Sequence, residues 1–201
     1  INRATGMRVG GGQEIGMACD YSISVDTARY GQAGPKHGSA PDGGSTDFLH
    51  LFVGINNAIE SCTLCDLWSA HAAVRLGLIN KIVPVMKTKD GEFISNPFVS
   101  TQAYDDWGNP SYGAFKTGDE KEAAKELASE CETDLTLLDR ETERFAYRLS
   151  LTIPDCLTKT LESMRKKKLE HWQRNSETSR SWLALNMMTG ARGGFSAFNE
   201  G

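Results

Sequence analysis

The stretch that most constrains the fold is Val9 to Asp20, VGGGQEIGMACD, in which three consecutive glycines run into Gln13 and Glu14 and then into an apolar, helix-compatible segment. Glycine costs stability inside a helix or strand, so three together mark a tight turn at the entrance to a helix. A phosphate cradle is one use of such a turn. It is excluded here, because no Lys-Ser/Thr pair follows the glycines and the dinucleotide pattern half met by Gly10 and Gly12 fails at Ile15. A carboxylate in the first turn would also repel a phosphate. Two readings remain. Glu14 favours the helix dipole at an ordinary turn. Alternatively, a backbone N–H bared by glycine donates to an oxygen that turns negative during a reaction, and Glu14, one turn away, moves protons at the same substrate.

Downstream, Tyr21, Ile23 and Val25 alternate with smaller polar residues and predict a strand, and ARYGQ a second one. Gly34 to Thr46 is a Gly/Pro/Ser-rich loop. TDFLHLFVG and INNAIESCTLCD predict helices, the second with Ile55, Ile59 and Cys62 on its apolar face. Ser69 is placed to cap AHAAVRLGL, and LINKIVPV predicts a strand. Three regions follow: a core over 1–86, a segment over 87–118 without a period that reads as an insertion or lid-like loop, and a helical region over 119–201. Within the last, one long helix is expected from Asp119 to about Thr152, then helices over 154–174 and 177–189. Short strands alternating with helices make the fold class α/β rather than a bundle.

The net charge of −4 argues against nucleic acid as a partner, and no apolar run is long enough to span a membrane. Five cysteines, an odd count in helix-like surroundings, predict no disulfide framework and a reducing cytoplasm. Cys62-Thr-Leu-Cys65 has redox spacing, but no second pair accompanies it, and a buried helix face is the simpler reading. No cluster has metal-ligand spacing. The opening at Ile1 in mid-pattern suggests a piece of a longer protein.

Taken together, the glycine turn, GQAGPKHGSAPDGGST after the strand, and SAHAAVRLGLINKIVPV resemble the enoyl-CoA hydratase/isomerase (crotonase) superfamily over residues 1–86. AFNE near the end resembles it more faintly. The resemblance implies the crotonase spiral of short strands and helices followed by C-terminal helices. It also implies an acyl-CoA thioester substrate with no separate cofactor, and a homotrimer or homohexamer. Gly11 then matches an oxyanion-hole donor, with Gly10 beside it, and Glu14 the first catalytic glutamate. The second hydratase glutamate falls on Gly34, a departure from plain hydratases. GPKHGSAPDGG is instead similar to a subgroup that makes or breaks carbon–carbon bonds in CoA-linked rings, where a serine and an aspartate follow G-P-K. Ser39 and Asp42 match them, with one extra residue in the spacing.

What this implies is hydration of a cyclic enone thioester followed by hydrolysis of a ring carbon–carbon bond. Glu14 is then the acid/base for hydration, Asp42 activates the second water, and Ser39 or His37 positions the ketone. Each assignment has a plainer counterpart: Asp42 a turn residue, Ser39 a cap, His37 a solvated side chain, Lys36 a surface charge rather than a CoA phosphate ligand. The run Arg165 to Lys168 is read first as a solvated helix face, and His50 and His71 as structural. Rival readings are a simple enoyl-CoA hydratase, a ring-closing, naphthoate-synthase-like enzyme, and a catalytically silent interaction protein on the same scaffold.

Overall fold

In the computed structural model, which describes residues 1–200, β3 (Ser22–Val25) is buried at all four positions, as a strand flanked on both edges of a parallel sheet must be. It pairs in parallel with β1 (Asn2–Ala4) and β6 (Lys81–Val83), setting Arg3 opposite Ile23 and Ser24 opposite Ile82. β2 (Met7–Val9) leads to α1 (Gly11–Ala18), and β4 (Arg29–Gly31) pairs antiparallel with β5 (Trp68–Ser69). The chain divides into two compact units that it visits alternately, Ile1–Met7, Tyr21–Tyr30 and Trp68–Leu149 forming one, and Arg8–Asp20, Gly31–Leu67 and the residues from Ser150 onward the other.

The first unit holds the parallel sheet. Ser69 caps α5 (Ala70–Arg75) as expected, its Oγ accepting from the Ala72 N–H at 3.1 Å while donating to the Gly113 carbonyl at 2.6 Å. Residues 87–118 carry regular pairing. β7 (Met86–Lys87) forms a hairpin with β8 (Phe93–Ile94), and isolated bridges join Val99 to Phe115 and Tyr104 to Pro110. Asn96 ties this segment to the sheet: its N–H donates to Asp26 Oδ2 at 2.7 Å and its Nδ2 to the Asp26 carbonyl at 2.9 Å. Burial pushes the Asp26 carboxyl up to about 6, against the pull of these N–H donors.

The single helix expected from Asp119 is two, α6 (Gly118–Ser129) and α7 (Thr136–Ser150). Between them β9 (Glu132–Thr133) pairs with β7, and Asp134 accepts from the Thr136 N–H at 2.8 Å, which ends one helix and starts the next. Asp134 also takes the Lys87 ammonium at 2.8 Å. The helical period ran across the break because α6 and α7 share an apolar repeat; strand pairing to β7 is non-local and leaves no periodic trace.

The second unit is helical. α2 (Ser45–Phe48), α3 (His50–Val53) and α4 (Ile55–Leu64) follow a 3-10 turn at Gly34–His37. α4 faces the opposite way to the expectation, with Ala58 and Ser61 buried and Ile55 and Ile59 exposed. α8 runs unbroken from Pro154 to Met188, where two helices were expected, and α9 spans Gly190–Glu200. Asn175 and Ser176, poor helix formers, lie where the break was expected. The helix passes through them because the Asn175 Nδ2 donates to Asp47 Oδ1 at 2.7 Å, a tertiary bond that offsets weak propensity. The same α8 face supplies Arg165, Lys168, Trp172, Asn175 and Asn186, at alternating spacings of three and four with longer multiples. No described helix is long and apolar enough to cross a membrane.

Candidate active site

The site begins at Gly10, which holds φ +54, a conformation that a side chain resists. Its N–H donates to the Gly31 carbonyl at 3.1 Å, and its carbonyl accepts from the Glu14 N–H at 3.1 Å. Gly11 and Gly12 have φ values any residue can adopt, and a Cβ on either would meet nothing within 4 Å. The chain itself therefore does not demand glycine at 11 and 12. The N–H groups of Gly11, Gly12 and Gln13 open the helix and have no carbonyl four residues back within it. Arg8 and Gln13, both buried, brace this turn through a 2.8 Å bond from Arg8 Nε to Gln13 Oε1.

Glu14 is half-buried and lines a cleft of about 340 Å³ walled by Ile15, Phe48, Leu169 and Trp172, with the Lys168 side chain at its edge. Burial raises its pKa above the ordinary 4.5. The Ser45 N–H, which donates to Oε1 at 3.2 Å, pulls it back in part, and Asp42 nearby pushes it up. Ser45 is itself held by Gln32, whose Nε2 donates to its Oγ at 2.7 Å. A Cβ at Gly43 would displace the Glu14 carboxylate from its present position. This is a carboxyl in a mostly apolar cleft, a setting that favours its protonated form relative to an exposed glutamate.

Asp42 opens onto a second, adjoining cavity of about 220 Å³, with Asp47, Ser176, Ser179 and Arg180 around it. Gly43 and Trp172 line both cavities. Glu14 and Asp42, 28 positions apart in sequence, thus stand on either side of Gly43. Gly34 lies against the Ser39 and Ala40 backbone, so a side chain there would be tight and the loop would have to give by a few tenths of an ångström.

The other expected residues stand apart from both cavities. Lys36 pairs with Asp66 at 3.3 Å on the surface. The His37 ring meets Phe198 of α9 edge-on at 4.7 Å. Ser39 turns its N–H to the Gly34 carbonyl at 2.9 Å. His71 is buried and edge-on to Tyr112 at 5.5 Å, whereas His50 faces His171 at 4.9 Å. Burial pushes the Cys62 thiol up to about 11, so it holds its proton, and all five cysteines are free. No group of three or more His, Cys, Asp or Glu among the described residues could hold a metal ion.

Sequence reading missed Ser45, Asp47, Trp172, Ser176, Ser179 and Arg180. The Arg165–Lys168 run, expected as a solvated face, is exposed at its first three positions, yet Arg165 forks onto Asp20 at 2.8 and 2.5 Å, and Lys168, part-buried, donates to the Met17 and Cys19 carbonyls at 3.0 and 3.2 Å, capping the far end of α1. Burial lowers the Lys168 pKa. The signal was present as an i, i+3, i+7, i+10 row on α8, but nothing local said that this row faces the site.

Residues 1–94 match the family described as Enoyl-CoA hydratase/isomerase. The whole chain is 56% identical to a Thauera aromatica protein named 6-oxocyclohex-1-ene-1-carbonyl-CoA hydrolase, and 54% identical to a Geobacter metallireducens protein of the same name. It covers 53% of each, so it spans about half the length of the curated relatives it matches. Among solved structures, an enoyl-CoA hydratase from Mycobacterium avium subsp. paratuberculosis superposes with a TM-score of 0.67 at 18% identity, over 98% of this chain and 60% of that one. That likeness establishes the crotonase fold.

Proposed function

We propose that the chain is the part of a ring-opening hydrolase of the enoyl-CoA hydratase/isomerase family that carries the two catalytic carboxylates, a reading supported by the family match over residues 1–94. The substrate proposed is 6-oxocyclohex-1-ene-1-carbonyl-CoA, the compound in the names of relatives 54–56% identical to it. The observation that carries the reading is the placement of Glu14 and Asp42 in adjoining cavities on either side of Gly43.

In the first step Glu14 takes a proton from water as its oxygen bonds to the β-carbon of the enone. The electron pair moves into the thioester, whose enolate oxygen the Gly11 N–H stabilises. One such donor contributes ~3–4 kcal/mol. Glu14 then returns the proton to the α-carbon, and its burial favours the protonated form needed for that return. The intermediate is a ring alcohol with a ketone next to the thioester-bearing carbon. In the second step Asp42 takes a proton from another water as it attacks the ketone carbon. Collapse breaks the bond from that carbon to the α-carbon, and the electron pair again becomes a thioester enolate held at Gly11. Protonation of the α-carbon, relayed through Glu14, leaves 3-hydroxypimelyl-CoA. CoA enters as part of the substrate and no separate cofactor takes part. A cytoplasmic homotrimer or homohexamer is the proposed setting, on the family resemblance.

The test offers the cyclic enoyl-CoA to the purified full-length enzyme and weighs the product. Addition of two waters with ring opening is expected; a ring alcohol with one water added demotes the activity to hydration.

A further inference from the structure

We propose that Arg180 and the cavity it shares with Asp42 form the subsite for the ring ketone oxygen and for the carboxylate that ring opening creates. The proposal rests on the ring-hydrolase reading above and extends it to a residue on α8. The two cavities differ in chemistry as the two ends of such a substrate differ. The Glu14 cleft is walled mainly by apolar side chains, which suits the ring carbons, while the Asp42 cavity gathers Asp47, Ser176, Ser179 and Arg180. Trp172, which lines both, marks the boundary that the ring would meet.

The Arg180 side chain forms no hydrogen bond or ion pair with any described residue, although Asp42 and Asp47 line the same cavity. Asp47 instead spends an oxygen on the Asn175 amide at 2.7 Å. The other α8 cations of this face are occupied, Arg165 by Asp20 and Lys168 by the carbonyls of α1. An unpaired guanidinium beside a water-activating carboxylate matches the charge history of the second step. When water bonds to the ketone carbon, its proton goes to Asp42, and the former ketone oxygen becomes an oxyanion. Asp42 is then neutral, which leaves Arg180 as the cation lining the cavity of the new anion, with Asp47 turned to the Asn175 amide. Collapse restores the carbonyl and sends the electron pair of the broken C–C bond into the thioester enolate. The freed carboxylic acid loses its proton and remains as a carboxylate, for which the guanidinium offers a two-pronged match. Ser179 lines the same cavity, whereas the Ser176 hydroxyl donates to the Gln173 carbonyl at 3.0 Å.

The experiment uses full-length enzyme as wild type, Arg180→Gln and Arg180→Lys, with a thermal melt to confirm folding of each. Arg180 is exposed, so both variants are expected to melt as wild type does. Binding of pimeloyl-CoA, which carries a distal carboxylate, is compared with binding of heptanoyl-CoA, which lacks it. Wild type is expected to favour pimeloyl-CoA by about 10- to 100-fold, R180Q to lose that preference, and R180K to keep part of it. In turnover of the cyclic enoyl-CoA, R180Q is expected to accumulate the singly hydrated ring alcohol. An unchanged pimeloyl preference and unchanged ring opening in R180Q overturn the subsite. A wild-type enzyme that leaves the ring closed overturns the ring-hydrolase reading instead, while the binding comparison still decides the subsite.

Discussion

Asp26 offers the most quantitative test of the described packing. Its carboxyl is 2% exposed at the end of β3, accepts the Asn96 N–H on Oδ2, and leaves Oδ1 buried without a partner. Burial lifts its pKa from 3.8 to about 6. A raised carboxylate pKa means that the folded state binds the proton more tightly than the unfolded state. Its contribution is therefore favourable below the unfolded pKa and is lost as pH rises through the folded pKa. A difference of about two pKa units corresponds to roughly 3 kcal/mol, lost between about pH 4 and pH 6. Asp26→Asn removes the titration while its amide oxygen can still accept from Asn96. Urea midpoints of wild-type and D26N full-length protein, taken every half unit from pH 4 to 8, read the effect through an unchanged denaturant slope. The wild-type curve is expected to fall relative to D26N by up to about 3 kcal/mol as pH rises, with the steepest divergence below pH 6. Parallel curves would show that Asp26 titrates alike in both states and would refute the argument from burial.

Three further outcomes are expected. Glu14→Gln should slow hydration of the cyclic enoyl-CoA by ~10²–10⁴-fold and remove a limb of the kcat/KM pH profile that lies above the ordinary glutamate range; an unaltered profile would assign the proton transfers elsewhere. Gly10→Ala should cost ~1–2 kcal/mol because of its φ of +54, whereas Gly11→Ala, with open space around it, should leave the melt unchanged or raise stability by up to ~1 kcal/mol yet depress turnover. Equal effects of the two on stability would contradict the turn geometry. Trp172→Ala joins the two cavities and should raise KM for the ring substrate about tenfold with little change in stability, measured by steady-state kinetics and a melt in parallel.

The turn and the start of α1 were legible before any coordinates. Gly10, Gly11 and Glu14 lie within five residues, so local rules of turns and helix starts set their backbone, while only Glu14 of the three lines a cavity. Ser69 declared itself as a cap for the same reason, and Asp42 was reached through the loop motif. The departures share one cause. The break at Glu132–Thr133, the unbroken α8 and the outward-facing Ile55 and Ile59 all depend on partners far along the chain. Lys36, His37 and Ser39 share the loop of Asp42 but end on Asp66, Phe198 and the loop's own backbone, because a 3-10 turn directs neighbouring side chains apart.

The sequence by itself determined the helix start and the carboxylate in its first turn, since spacing within a few residues sets backbone conformation and its exposed donors. Only the tertiary structure decided that Glu14 meets an apolar wall, that Asp42 opens onto an adjoining cavity with more polar side chains, and that α8 lines both. Burial is a property of what packs against a side chain, and here residues 165–183 arrive from more than a hundred positions away. A carboxylate's place in the chain shows what it can do; its desolvation and its neighbours, set by packing, determine which proton it holds.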